Sequence, residues 1–387
     1  MRVLLAFDKF KDCLSAREAC ALAAATLQDR HPDWIIDSAP LSDGGEGFSE
    51  ILTAAVAGTT QATTVTGPRQ RPTRASVGLI TLDAVPAAAR AYLPSALSHS
   101  RKPPLIAIID MASASGLALL PPADRDLWHT TSVGTGELIQ HATTLGATAI
   151  VLGVGGSATH DLGLGALAAL GLGFHSAAGR PIFPPTPSQW PEISRLSGQI
   201  NATTPPILIA CDVSNPLLGP RGAAATYGPQ KGLSTTDLPR LDHASARLAL
   251  LLCAHCDRPD TLMETPGAGA AGGIAFGLMT AAGAQLLPGF DFVSAWLNLE
   301  ARLTAADLVI TGEGRFDDSS LDGKGPGAVA ARALALGKRV HVFAGSATAA
   351  RPPAHLSLHS ISPAHLPLAE ALQQAAQNLP RALRTVF

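Results

Sequence analysis

Aromatic residues make up only 4% of this 387-residue chain, too few for the stacking platforms that grip single-stranded nucleic acid. Charge is also sparse and balanced: 28 basic against 30 acidic residues, a net charge of −2. That leaves no electrostatic footprint for nucleic acid. No run of about 18 uninterrupted apolar residues occurs, so no membrane-spanning helix is predicted. The opening Met1-Arg2-Val3-Leu4-Leu5-Ala6-Phe7-Asp8-Lys9 lacks the longer apolar core of a signal peptide. Five cysteines (13, 20, 211, 253 and 256) are odd in number and scattered. They argue against a disulfide framework and predict a reducing, cytoplasmic setting. The Walker A sequence, His-Glu-x-x-His and the Gly-x-Ser-x-Gly elbow are all missing.

What is present is apolar bulk and glycine. At 47% hydrophobic and 15% charged, the chain can bury a large core, and its length predicts two domains. Pro40-Leu41-Ser42-Asp43-Gly44-Gly45-Glu46-Gly47 sets two carboxylates in a backbone that glycine permits. Comparable segments are Gly153 to Asp161, Gly267 to Gly273, and Gly312-Glu313-Gly314-Arg315-Phe316-Asp317. Glycine lets a ligand approach the main chain closely and tolerates positive φ. Loops that mix such glycines with acids, hydroxyls and cations suit a phosphorylated ligand with a divalent metal. Lysine is rare, only six of the 28 basic residues, yet Lys9, Lys11, Lys231 and Lys324 all fall beside glycine-rich or strand-end loops. A compact ammonium suits phosphate oxygens.

Val3 to Phe7 reads as a buried strand, and Ser15-Ala16-Arg17-Glu18 as a capping box opening a helix. Strands are predicted at Trp34 to Pro40, Asp307 to Thr311, Val340 to Ala344 and Leu356 to Ile361. Pro326 suits the first turn of a helix that stops at Gly337. The middle of the chain carries further strands near 63–66, 75–82, 105–110, 148–152 and 207–211, with helices near 135–145, 161–171 and 237–254. The expected fold class is α/β, with two dissimilar α/β domains. A Rossmann-like domain built from both chain ends (1–66 and 290–387) would flank a large inserted α/β domain (67–289). In open α/β sheets ligands bind beyond the carboxyl ends of strands. That rule draws Asp8, Lys9, Lys11, Asp43, Glu46, Glu313, Arg315 and Asp317 toward one edge. Cations, carboxylates and glycine amides together match phosphoryl transfer. For each acid taken singly, a solvated turn or a helix cap is an equal alternative.

Gly267-Ala268-Gly269-Ala270-Ala271-Gly272 formally matches the dinucleotide fingerprint, with Asp291 near the position of its ribose acid. It keeps a nicotinamide-dependent oxidoreductase of a small hydroxy acid open as the alternative function. Asp260 to Pro266 does not read as a buried strand, which favours a loop opening a helix that can hold an anion. Tight packing through small residues is the structural reading of the same segment.

In order along the chain, several blocks together resemble the two-domain bacterial glycerate kinase family. They are Asp8-Lys9-Phe10-Lys11, Asp43 to Gly47, Ala114 to Leu117, Gly134 to Leu138, Gly155 to Thr159 with Asp161, and Cys211-Asp212-Val213. Gly228-Pro229-Gln230-Lys231-Gly232, Gly267 to Gly273, Thr311 to Arg315 and Gly323-Lys324 complete the set. The resemblance implies ATP-dependent phosphorylation of D-glycerate with Mg2+, with 2-phosphoglycerate favoured over 3-phosphoglycerate. No nucleic-acid or membrane partner is expected, and oligomeric state is unread. On this reading Asp43, Lys11 and Arg315 are catalytic. Gly155, Gly156, Ser157, Thr159, Asp161 and Arg315 hold substrate. Lys11, Gly267, Gly269, Gly272, Gly273 and Lys324 contact ATP, and Asp43, Glu46, Asp212 and Glu313 supply metal ligands. Which acid is base and which are ligands stays open. The chain departs from the family pattern at Lys9, His160 and Leu162, where serine, asparagine and glycine are usual.

Overall fold

Apolar runs buried along nearly their whole length become the central strands, and alanine-rich stretches such as Ala16–Arg30 become helices. The computed structural model describes residues 1–99, 103–318, 320, 325–348, 353–363 and 365–387. Lys324, one of the expected ATP contacts, lies outside the described residues. In chain order the strands are β1 (Arg2–Phe7), β2 (Ile35–Ser38), β3 (Thr59–Thr66), β4 (Pro72–Thr81), β5 (Leu105–Asp110), β6 (Ala149–Gly153), β7 (Gly173–His175), β8 (Arg195–Ser197), β9 (Ile207–Ala210), β10 (Gln285–Leu287), β11 (Leu308–Phe316), β12 (Arg339–Ala347) and β13 (Leu356–Ser360). The chain divides into two compact units, 1–43 with 293–387, and 44–292.

The first unit is a parallel sheet ordered β13-β12-β11-β1-β2. Counted within the unit this is the doubly wound order 2-1-3-4-5, whose reversal point falls between β1 and β11. Val3, Leu5 and Phe7 pack with Ala19, Ala23, Leu27, Leu379 and Leu383 of the helices Ala16–Arg30 and Ala375–Val386. Leu4 and Ala6 on the opposite face are equally buried, so the sheet is covered on both sides, as parallel sheets require. The expected capping box is present. The Ser15 hydroxyl accepts from the Glu18 amide at 3.2 Å, and the Glu18 carboxylate accepts from the Ser15 amide at 2.8 Å.

The second unit holds a six-stranded sheet ordered β10-β9-β6-β5-β4-β3. Strands β10, β9, β6 and β5 run parallel, and β4 and β3 are added antiparallel. The carboxyl ends of β5, β6 and β9 therefore share one edge, at Asp110, Gly153 and Ala210. Its core joins Val77, Ile109, Leu152 and Ile209 to Leu138 of the helix Val133–Thr144 and to Ile274 and Phe276 of the helix Ala270–Ala282.

Two expectations need correcting. The first unit was predicted to run to residue 66, yet the division falls between Asp43 and Gly44. The reason is that β3 pairs with β4 along its whole length, and the helix Phe48–Ala55 packs on β4 and β5. At the other end the division lies at 292–293 rather than 289–290. The segment Gly312 to Phe316, expected as a loop, continues β11 and pairs with β12 as far as Phe316↔Ala347. Glycine at 312 answers a packing demand there: a Cβ would stand 1.8 Å from the Phe343 carbonyl oxygen. Gly312→Ala is expected to cost about 2 kcal/mol or more, the scale of overpacking in a core. A denaturant titration following the first unit checks this, and an unchanged midpoint would remove the packing argument.

Candidate functional site

At the reversal point of the first unit three carboxylates crowd together. Asp8 follows β1 and is half-buried. Burial, then the charge of Asp43, pushes its pKa up to about 7, against the opposing pull of Lys9. The Lys9 amide donates to Asp8 Oδ1 at 2.7 Å. Glu313, on β11, is also raised to about 7, first by burial and then by the charges of Asp317 and Asp43, while a hydrogen bond from Ser320 works the other way. The helix Gly325–Ala335 begins beside this cluster, since a Cβ on Gly325 would lie 3.5 Å from Asp8 Oδ2. A helix amino terminus offers unpaired amides and a positive dipole end to anions.

Cations border the same edge. Arg315 is exposed on β11, its guanidinium 3.0 Å from Asp317. The loop carrying Lys11 passes over Gly314, where an added Cβ would come 3.3 Å from the Lys11 amide nitrogen. Lys11 itself is exposed. Asp43, Lys11, Arg315 and Glu313, all singled out from sequence, thus belong to one unit and one sheet edge. Asp8 was noted at the strand end but given no role.

In the second unit the segments 44–47, 153–157 and the end of β9 meet through backbone. The Gly155 amide donates to the Gly44 carbonyl at 2.8 Å, and a Cβ on Gly44 would sit 2.9 Å from the Ala210 carbonyl oxygen. Gly47 donates to Asp110 Oδ2 at 2.8 Å. Gly156 turns with φ +71°, and a Cβ there would come 2.7 Å from Glu46 Oε1. Asp212, two residues beyond β9, accepts from the Phe290 amide at 2.8 Å.

Beneath the Gly155–Gly156 turn lies a buried cation. Lys231 is 2% exposed, and its ammonium donates to Ser157 Oγ at 2.8 Å and to the Thr159 carbonyl at 2.7 Å. Burial draws its pKa down to about 7, partly offset by Asp161. Sequence reading flagged this lysine by its glycine-flanked position and the scarcity of lysine, but assigned it no function.

The five residues of the second unit expected to hold substrate separate into two kinds. Gly155 and Gly156 are accessible, and Ser157 is 6% exposed. Thr159 and Asp161 are fully buried. Asp161 accepts from the Ser132 amide (2.7 Å) and hydroxyl (2.8 Å) and from the amides of Gly163 (3.1 Å) and Gly165 (3.2 Å). The two Ser132 donors tie the loop to the start of the helix Val133–Thr144. His160 is buried and meets Ser245 Oγ at 3.1 Å. Burial and the Lys231 charge hold its pKa down at about 3, so it is neutral.

The glycines expected around ATP are closely packed. Gly267, Gly269, Gly272 and Gly273 are buried. The Gly267 and Gly269 amides both donate to the Asn215 carbonyl, at 3.2 and 3.0 Å. A Cβ on Gly272 would stand 2.2 Å from the Thr159 carbonyl oxygen, and one on Gly269 2.3 Å from that of Pro216. Before them, Asp260–Glu264 forms a 3-10 turn, where a dinucleotide fingerprint needs a strand. Of the four expected metal ligands, Asp43 and Glu313 belong to the first unit, Glu46 and Asp212 to the second. Among the described residues no three His, Cys, Asp or Glu side chains are preassembled around a cation position.

The model of the glycerate kinase family matches residues 3–387. The chain belongs to the glycerate kinase family. It is 38% identical to the glycerate 2-kinase of Escherichia coli (strain K12), over 100% of this chain and 97% of that one. It is 36% identical to a glycerate kinase of Bacillus subtilis (strain 168), with the same coverage. The crystal structure of a putative glycerate kinase 2 from Salmonella typhimurium LT2 superposes with a TM-score of 0.75 at 37% identity, covering 100% of this chain and 97% of that one. As a member of this family the chain is a kinase that phosphorylates glycerate, with ATP as phosphoryl donor.

The carboxylate crowding has a thermodynamic sign. A carboxyl group with a raised folded pKa keeps its proton longer in the folded chain. Its contribution to stability is whole below the unfolded value near 4 and is lost as pH climbs through about 7. Asp43 raises both Asp8 and Glu313, so Asp43→Asn is expected to raise the thermal midpoint near pH 8. The gain should vanish by about pH 2.5, where unfolded and folded groups are both protonated. Calorimetry at the two pH values checks the sign, and a lower midpoint at pH 8 contradicts it.

Proposed function

We propose that this glycerate kinase transfers the γ-phosphoryl group of ATP to the 2-hydroxyl of D-glycerate, using the carboxylate cluster of the first unit. The observation that carries the reading is the pair Asp8 and Glu313, both raised to about 7 around Asp43 at the sheet's reversal point. A base for an alcohol proton works best when its pKa lies near the working pH. We assign that task to Asp8, whose carboxyl is pushed up to about 7 by burial and by the charge of Asp43. Lys11 and Arg315 supply positive charge at the same edge, and phosphoryl transfer depends mainly on such positioning and neutralisation.

Mg2+ fits the donor chemistry of this edge. It binds hard oxygen, keeps several waters and uses only one or two carboxylates beside phosphate oxygens. It therefore does not call for a preassembled cage of three side chains. Asp43 and Glu313 would hold it, and when bound it would supply positive charge against the phosphate groups. The 2-hydroxyl preference is supported by the name glycerate 2-kinase carried by the Escherichia coli relative. A cytoplasmic setting is supported by the five unbridged cysteines.

For the second unit we propose that the Gly155–Gly156 turn and Ser157 hold the small acid, with Lys231 fixing Ser157 from below. Thr159, Asp161 and the Gly267–Gly273 segment act on ligand only by supporting that turn.

In an assay of ADP release with D-glycerate, Asp8→Asn and Asp43→Asn should each lower kcat by about 10²-fold or more, the usual weight of a positioned base. Turnover near wild type in both folded variants would overturn the assignment. Phosphorus NMR of the product reads the position, and a 3-phosphate resonance would reject the 2-hydroxyl. Replacing a buried cation by an apolar side chain of similar length can leave stability intact. Lys231→Met should accordingly keep the melting temperature but raise KM for glycerate about tenfold, as one charge-assisted hydrogen bond on Ser157 is lost. An unchanged KM would detach Lys231 from the substrate turn.

A further inference from the structure

Strand β3 closes one side of the six-stranded sheet and has no pairing partner on its outer flank among the described residues. Its sequence, Thr-Thr-Gln-Ala-Thr-Thr-Val-Thr, is eight residues long with no charge and no proline. Its pairing to β4 is continuous, without a bulge. Solvent-facing edges are normally blunted by lysine, proline, a bulge or short length, because an unpaired ladder recruits another strand. None of these devices is present, and Thr59 to Ala62 and Thr64 are exposed.

One contact fixes which backbone groups face outward. The Thr66 amide donates to Glu137 Oε2 at 2.6 Å, away from β4, and its hydroxyl donates to Oε1 at 2.9 Å. The β4 residue opposite Thr66 is Pro72, which has no N–H to exchange. Antiparallel ladders alternate with a period of two, so Thr60, Ala62 and Thr64 also turn N–H and C=O outward. Read in either direction that row is Thr-Ala-Thr.

We propose that two copies of the chain pair antiparallel through β3 about a twofold axis at Ala62, merging two six-stranded sheets into one. In this register Ala62 faces Ala62 of the partner subunit and Thr60 faces the partner's Thr64, each pair exchanging both backbone hydrogen bonds. The symmetry explains the composition. A twofold interface brings each residue opposite its own kind or its mirror position, so charge on this row would repel itself, whereas Thr–Thr pairs across strands are favourable. Small Ala62 at the axis admits close approach.

The groove beside the edge fits the same occupant. About 490 Å³ in volume, it is lined by Thr63, Val65, Gln140, His141 and Thr144 among others. Val65 lies in the core with Leu138, so odd-numbered β3 residues face the helix Val133–Thr144. The register sets the partner's Gln61 opposite Thr63, on that groove side. His141 Nε2 is buried there without a hydrogen-bond partner among the described residues, and a carboxamide can supply one.

Analytical ultracentrifugation of the full chain should give twice the chain mass. Ala62→Pro removes only an outward amide and should give the monomer with unchanged circular dichroism. Should that variant fail to fold, Ala62→Cys tests the register independently. Hydrogen-bonded antiparallel pairs hold their Cα atoms about 5.5 Å apart, inside the range a disulfide spans. Mild oxidation should then trap a covalent dimer that the wild type, with its five native cysteines, does not form. A monomeric wild type, a dimer untouched by Ala62→Pro, or an Ala62→Cys chain that does not cross-link would each overturn the proposal.

Discussion

Backbone meeting backbone more closely than a Cβ allows is the constraint on which both units depend. In the first unit Gly312 presses on the Phe343 carbonyl, and Gly345 would place a Cβ 2.4 Å from that of Gly314. In the second, Gly155 stands against Gly45 and Gly272 against Thr159. Each contact removes a layer of side chains and lets loops from separate strands lie against one another. Glycine costs conformational entropy on folding, and here the return is a thin, polar strand edge in place of a padded one.

That thinness explains the electrostatics. With little side-chain packing between them, Asp8, Asp43 and Glu313 feel one another's charge, while burial withholds the water that would screen it. In the second unit the same closeness lets one ammonium, Lys231, reach both the hydroxyl of Ser157 and the carbonyl of Thr159. Perturbed groups of opposite kinds thus arise from a single packing style.

Much of this was legible in the residues. The capping box at Ser15, the strand at Val3 and the helix after Pro326 follow from local chemistry that tertiary packing reinforced. The families of strands in both units followed from apolar runs bounded by turn residues. What misled was glycine, which serves two purposes with one spelling. The Gly312–Arg315 stretch read as a loop but is strand, because its glycines answer a neighbouring carbonyl rather than a turn. In the Gly267–Gly273 stretch, read as an anion cradle, the amides of Gly267 and Gly269 are engaged with the Asn215 carbonyl. Asp161 looked like a ligand contact, and only the fold reveals the four donors around it. The importance of Lys231 could not be read from its neighbours in sequence, since the atoms it serves are more than seventy residues away.

Carboxyl groups that sit half-protonated at neutrality make their edge a proton reservoir. Any cation that docks on Asp8 or Glu313 must displace hydrogen ions into the medium. Its apparent affinity therefore slackens as the surroundings acidify, and the heat of its binding carries a contribution from whatever buffer receives those protons.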